Sequence, residues 1–150
     1  MDGGRVTAIY ISAKKGDMPT PVERVQAHAG KGLVGNRYYF ERGAPAGNAL
    51  TLIASEAIEA FTTETGIPLT AQESRRNVLT EGIDLNALVG ERFRVGEVDC
   101  VGVELCEPCT TLQAMTRRGV LQGMVHRAGL NADILTDGEI AVGDPVVGTS

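Results

Sequence analysis

Long apolar runs, excess positive charge and tryptophan are all missing from this 150-residue chain. No apolar run approaches the ~20 residues that a membrane-spanning helix needs. The apolar stretch 6–12 is too short for the core of a secretory signal. We therefore expect a soluble, cytoplasmic protein without a membrane partner. A net charge of −5 also disfavours a general nucleic-acid-binding role.

Cysteine and lysine are scarce as well. The chain has three cysteines, an odd number, and the absence of a secretory signal favours reduced thiols over a disulfide framework. Only three of the 14 basic residues are lysines and the other eleven are arginines. The planar guanidinium fork suits phosphate and carboxylate partners, although genome composition is the simpler explanation of this bias.

The chain contains 19 glycines, which divide it into short segments. The chain length of 150 residues predicts a single domain over residues 1–150. Helical patterns begin at Ser55, a candidate N-cap, and end at Gly66, with a further helical turn at 85–88 and a second helix at 115–125. Two strand–turn–strand patterns, 90–98 and 138–146, indicate a recurring hairpin. Further strands are predicted at 6–12, 22–28, 50–54, 77–80 and 98–105. This pattern predicts a mainly β fold, a closed or partly open β-barrel of short strands with two or three peripheral helices.

The most informative motif is Cys106-Glu107-Pro108-Cys109, which follows the predicted strand 98–105. Pro108 fixes its own φ and stiffens the turn that carries the thiols. The pair is half of a zinc site, since a structural zinc needs four ligands. It is also typical of a redox dithiol, although no βαβ unit accompanies it. The third interpretation is two small buried side chains, which fits Cys106 better than Cys109.

Two further segments carry candidate anion-binding groups. Arg75-Arg76-Asn77 precedes a predicted strand, where two adjacent guanidinium groups can bind an anion bidentately, or can simply form a solvated cluster. The segment Gly32-Leu33-Val34-Gly35-Asn36-Arg37 places backbone amides next to an arginine, which is one way to bind a phosphate.

In this order, these segments resemble a MOSC domain, the family named after the C-terminal domain of molybdenum cofactor sulfurases. The resemblance runs from about residue 22 to residue 147. It is carried by the glycine-rich stretch 30–37, strand 50–53 with its helix, Arg75-Arg76-Asn77-Val78, Gly82-Ile83-Asp84-Leu85, the hairpin 90–98, the cysteine motif, and the segments 129–132 and 138–146.

The resemblance implies a β-barrel-like fold and a role in molybdenum cofactor and sulfur chemistry. The family cysteine corresponds to Cys109, which would carry a persulfide or ligate molybdenum and would be the catalytic residue. Arg75 and Asn77 would contact the pterin or its phosphate, with Arg37 and Arg76 as supporting cations. A soft thiolate suits molybdenum or sulfane sulfur, and nearby arginines would lower the thiol pKa.

Two positions depart from the family pattern. Asn36 stands where the family usually has aspartate, which removes a carboxylate. Asn48-Ala49 stands where related members often have an Arg-Gln pair, which removes one anion contact. We expect no pyridoxal phosphate site, because the chain lacks the desulfurase domain of full-length sulfurases.

Three functions compete at this stage. The first is an enzyme that binds molybdenum cofactor and reduces N-hydroxylated compounds with electrons from a partner. The second is a sulfur carrier that receives a persulfide on Cys109 from a cysteine desulfurase, for assembly of a metal–sulfur centre. The third is a non-catalytic anion-binding module.

Overall fold

The computed structural model describes residues 3–14, 16–106 and 128–149. The strands are β1 (Gly4–Ile11), β2 (Thr20–Val22), β3 (Arg24–His28), β4 (Gly32–Leu33), β5 (Leu50–Ala54), β6 (Val78–Glu81), β7 (Arg92–Val95), β8 (Val98–Leu105), β9 (Leu130–Ile134), β10 (Gly138–Ala141) and β11 (Pro145–Gly148). The helices are α1 (Ser55–Thr65), α2 (Ala71–Ser74) and a 3-10 turn at Leu85–Leu88.

Seven strands close into a barrel in the order β1-β11-β7-β8-β9-β5-β6, with β6 pairing back onto β1. Among the described pairings of the barrel, only β5 and β6 run parallel. A parallel pair needs a crossover, and the segment that contains α1 and α2 supplies it. β2 pairs antiparallel with the C-terminal residues of β1. A second sheet has three strands, in the order β10-β3-β4. The prediction of a mainly β barrel with peripheral helices is confirmed.

The hydrophobic core fills the barrel, because side chains alternate between its two faces. On β8 and β9, Val98, Cys100, Leu130, Ala132 and Ile134 are buried, while the residues between them are partly exposed. A second apolar cluster lies beneath α1 and consists of Ile53, Ile58, Phe61, Leu69 and Ala128. The interior face of each strand therefore stabilises the fold and leaves the outer face for other tasks.

The predicted strand–turn–strand pattern is confirmed at both 90–98 and 138–146, but only the first pattern forms a hairpin. β10 pairs with β3, whereas β11 pairs with β7 and β1, so the two strands belong to different sheets. The amide of Asp144 closes the turn by donating to the Ala141 carbonyl, while two other turn amides bond to distant strands: that of Val142 donates to the Glu23 carbonyl and that of Gly143 to the Val6 carbonyl. Those contacts replace the ladder that a hairpin would form.

Two local predictions need correction. The segment 22–28 is two strands, because Glu23 separates β2, in the barrel sheet, from β3, in the small sheet. Ser55 is the first helical residue, and the N-cap is Ala54, which makes no side-chain cap. Gly66 does end α1, in the left-handed conformation with φ 73°.

The predicted helix 115–125 and the predicted site residue Cys109 lie outside the described residues. No helix in the described part of the chain is long and apolar enough to cross a lipid bilayer.

Candidate functional site

A cavity of about 620 Å³ opens on the outer face of the barrel, where β1 and β8 end and β5 and β6 begin. It brings together four of the predicted site residues, Arg37, Arg75, Arg76 and Asn77. The other lining residues are Tyr10, Ser12, Gly16, Pro19, Asn36, Tyr38, Gly47, Asn48, Thr51, Glu104, Cys106 and Asn131.

The floor of this cavity is a line of five side chains from neighbouring strands, which we call the polar row: Glu104, Asn131, Thr51, Asn77 and Tyr10. Glu104 pairs with Asn131 in the β8–β9 register, and Asn131 pairs with Thr51 in the β9–β5 register. Asn77, directly before β6, bonds to both Thr51 and Tyr10. One level of the barrel wall therefore presents a continuous polar surface to the cavity.

Asn77 joins three strands at the centre of the polar row. Its Nδ2 donates to the Tyr10 carbonyl (3.1 Å), and its Oδ1 accepts from the Thr51 amide (3.1 Å) and the Thr51 hydroxyl (3.0 Å). Its own amide donates to Thr51 Oγ1 at 2.9 Å. Since both ends of its amide are engaged, Asn77 sets the geometry of the cavity floor.

The polar row includes Glu104 because β8 contains a bulge. Gly102 pairs with Ala132 and Glu104 with Asn131, so two steps along β8 correspond to one step along β9. Regular alternation would place Glu104 on the buried face with Cys100 and Gly102, and the extra residue, Val103, moves it to the outer face. Sequence alternation alone misses Glu104 for this reason.

Helix α2 positions Arg75 and Arg76. Thr70 and Glu73 form a capping box at its N-terminus, and Arg75 ends it in the left-handed conformation with φ 63°. No other non-glycine residue in the described ranges has a positive φ. The Thr-x-x-Glu spacing signals this helix start in the sequence, although we did not predict a helix there.

The two guanidinium groups have different anchors. Arg76 Nε donates to the carbonyl of Ala128 at 2.8 Å, and Arg75 donates to the carbonyl of Asp17. Both side chains are partly buried. These bonds go to neutral carbonyls, so they hold the arginines in place without neutralising their charge.

The segment Gly32–Arg37 does not form the predicted backbone cradle at three of its amides. Val34, Asn36 and Arg37 donate their N–H groups to the carbonyls of Gln26, Leu33 and Ser12. The segment contributes the exposed Arg37 side chain, whose guanidinium lies over the Tyr38 ring at 4.2 Å. The buried Asn36 uses its Oδ1 to accept from the Ser12 amide at 2.9 Å, a bond that an aspartate would also make.

The two described cysteines have opposite environments. Cys100 faces the core, and burial, followed by the nearby charge of Asp99, raises the pKa of its thiol to about 12. Cys106 directly follows β8, as predicted, and its amide donates to the Gly129 carbonyl at 2.7 Å. It is half-buried and lines the cavity, so its expected role as a fully buried side chain is wrong.

The charge of the cavity is mostly positive. Within the described ranges, Arg37, Arg75 and Arg76 pair with no carboxylate, and the ion pairs lie elsewhere, at Arg5–Glu81, Arg24–Glu139 and Arg94–Asp99. The described residues also contain no group of three or more His, Cys, Asp or Glu side chains able to hold a metal ion. The three guanidinium groups are suited to binding an anionic ligand.

A model of the MOSC domain family matches residues 27–147 of the chain. That range contains β4 to β10, the polar row except Tyr10, and the three arginines of the cavity. No curated protein sequence matches the chain significantly.

Several crystal structures share the fold. YuaD from Bacillus subtilis superposes with a TM-score of 0.82 at 16% identity, covering 100% of this chain and 97% of its own. YiiM from Geobacillus stearothermophilus gives a TM-score of 0.74 at 18% identity, covering 98% of this chain and 75% of its own. YiiM from Escherichia coli gives 0.70 at 18% identity, covering 97% and 70%.

Proposed function

Because the chain belongs to the MOSC domain family, we propose that it binds molybdenum cofactor in the cavity and reduces N-hydroxylated compounds. Cys109 is the metal ligand and catalytic residue in this proposal, and a separate protein supplies the electrons. The observation that carries it is the convergence of Arg37, Arg75 and Arg76 on one cavity without a carboxylate partner in the described part of the chain.

The described residues fit this group in size and charge. Small-molecule and cofactor sites commonly measure roughly 300–1,000 Å³, a range that includes the 620 Å³ of this cavity. The cofactor carries a phosphate, and guanidinium groups bind phosphate bidentately. The amide and hydroxyl groups of the polar row suit the hydrogen-bonding edge of a flat pterin ring.

Each residue has a distinct role in the proposal. Arg75 and Arg76 hold the phosphate, since their anchors fix them without neutralising them. Asn77 keeps the floor in register, and Arg37 closes the cavity from the outer side. When bound, the cofactor supplies two-electron redox chemistry. The positive surroundings favour the thiolate form of a cysteine, which is the form that binds soft metals.

The test is the metal and pterin content of protein purified from a host that makes the cofactor. We expect stoichiometric molybdenum and pterin in the wild type, at least tenfold less in Cys109→Ala, and clearly less in Arg76→Ala. Arg92→Ala is the matched control, because Arg92 is exposed on β7 outside the cavity. Wild-type protein without molybdenum or pterin from such a host would contradict the proposal.

The position of Cys106 favours a second candidate, a sulfur carrier. Cys106 lines the cavity, and Cys109 follows it three residues later in the sequence. In this candidate, Cys109 acts at the same anion site. The Cys109 thiolate would attack the terminal sulfur of a persulfide on a cysteine desulfurase. A sulfur–sulfur bond would form on Cys109 as the desulfurase thiolate leaves.

Intact mass after incubation with desulfurase and cysteine tests this candidate. It predicts a gain of one sulfur atom that Cys109→Ser abolishes and Cys100→Ser leaves unchanged. An adduct that persists in Cys109→Ser would rule the carrier role out.

A further inference from the structure

We propose that Glu104, supported by Asn131, recognises a positively charged or N–H-rich nitrogen group on the substrate, as found in an amidine or guanidine. This inference rests on the proposed function, because it assigns the substrate-facing end of the same cavity.

The first argument is position. The polar row places Glu104 at one end and Asn77, next to the two arginines, three strands away. Neighbouring strands lie about 4.8 Å apart, so the row separates Glu104 from Asn77 by roughly 10–15 Å after allowance for barrel curvature. One cavity therefore has a cationic end and an acidic end.

The second argument is the charge of Glu104. Among the described residues that line the cavity, it is the one carboxylate, and it forms no ion pair with the described arginines. Its one described contact is weak, a 3.5 Å bond from Asn131 Nδ2 to Oε2. A carboxylate has about four acceptor sites, so exposed Glu104 keeps acceptor sites for a ligand of the cavity that it lines.

The third argument is the irregularity in strand β8 that brings Glu104 to the cavity. The bulge at Val103 interrupts the β8–β9 ladder, and its effect is to move Glu104 from the buried face to the cavity. The neighbouring loop fits this surface closely, since Gly47 lies against Val103 and Asn131 and donates its amide to Asp133 at 2.7 Å. The loop therefore packs against the bulge and against Asn131, the residue that bonds to Glu104.

The chemical consequence is a preference among ligands. An amidinium group matches a carboxylate with two parallel N–H donors, whereas an anionic group is repelled at this end and attracted at the arginine end. The cavity then accommodates an anionic cofactor and a cationic or N–H-rich substrate in opposite halves.

Calorimetric or NMR titration of the cofactor-free protein with two probes, benzamidine and inorganic phosphate, tests the inference. We expect Glu104→Gln to weaken benzamidine binding by about tenfold, because a charged hydrogen-bonded pair is lost. Phosphate binding should be unchanged or tighter. Glu59→Gln, the same substitution at an exposed position of α1, should leave both affinities unchanged.

Equal benzamidine affinity in wild type and Glu104→Gln would overturn the inference, as would undetectable benzamidine binding by the wild type. These results are distinct from failure of the proposed function. Benzamidine binding that depends on Glu104, in a protein that never loads molybdenum, supports the acidic end and refutes the cofactor. Loading of molybdenum by a protein with Glu104-independent benzamidine binding refutes only the acidic end.

Discussion

The barrel interior and the cavity are built from the same strands, yet their side chains have opposite requirements. Strand β8 shows both: Val98 and Cys100 are buried in the core, whereas Glu104, and Cys106 directly after the strand, line the cavity. Interior apolar side chains pack against one another, while the cavity leaves three cationic groups without a carboxylate partner in the described residues. Substitutions can therefore change stability and ligand binding separately. The transition between the two environments lies in the middle of β8.

The largest effect is expected at that transition, Gly102. A Cβ there would lie 2.1 Å from the Leu88 carbonyl oxygen, in backbone that is fixed by hydrogen bonds between Gly102 and residues 90 and 91. We expect Gly102→Ala to lower the free energy of unfolding by about 3 kcal/mol in a denaturant titration. Gly148→Ala is the control, because a Cβ at Gly148 meets nothing within 4 Å. Equal stability of the two variants would contradict the close approach.

The second largest effect is expected in the alkylation rates of the two described thiols, Cys100 and Cys106. Because the pKa of Cys100 is raised to about 12, its thiolate fraction at pH 8 is about 10⁻⁴, and burial blocks reagents as well. In reduced, folded protein we expect iodoacetamide to label Cys106 at least 100-fold faster than Cys100, measured by peptide mass spectrometry. In denaturant the two rates should converge. Rapid labelling of Cys100 in the folded protein would contradict an inert interior.

A third prediction separates structure from binding within the cavity. Asn77→Asp removes the donor to the Tyr10 carbonyl and sets a carboxylate oxygen against that carbonyl, so we expect a loss of about 2 kcal/mol in stability. Asn36→Asp keeps the acceptor for the Ser12 amide and should cost less than about 1 kcal/mol. Thermal unfolding of both variants measures this, and the reverse order would show that Asn77 is not the structural member of the pair.

The smallest effect is expected at Arg75, where the left-handed backbone favours glycine. Arg75→Gly should be about 1 kcal/mol more stable than Arg75→Ala, because alanine retains the strain. Both variants should bind inorganic phosphate more weakly than the wild type by a similar factor. Equal stability of the Arg75→Gly and Arg75→Ala variants would show that the left-handed backbone at Arg75 is not strained.

Much of the fold is predictable from local signals. The apolar run 50–54 is β5, Gly66 ends α1, and the glycine-flanked pattern at 90–98 is a hairpin. The second hairpin pattern fails because strand pairing is decided by distant partners, here β3 and β1, which no local pattern reveals. The capping box at Thr70 was available from its spacing alone.

The site is predictable only in part. The arginines and Asn77 are adjacent in sequence and share a motif, so their convergence with Arg37 could be expected from the family resemblance. Glu104 and Asn131 could not, because their inclusion depends on a one-residue bulge and on the register between β8 and β9. Register is a property of the assembled sheet, and a shift of one residue reverses every side chain.

The polar row also has a consequence for folding kinetics. Its members span residues 10 to 131. Four of them lie on β1, β5, β8 and β9, and Asn77 directly precedes β6, so they reach one level only when these five strands are all paired. Contacts between residues so far apart in the sequence form slowly, because the chain loses loop-closure entropy before these contacts stabilise the fold. A ligand of the cavity therefore binds the completed barrel and no partly folded chain, and it stabilises the whole protein in proportion to RT ln(1 + [L]/Kd).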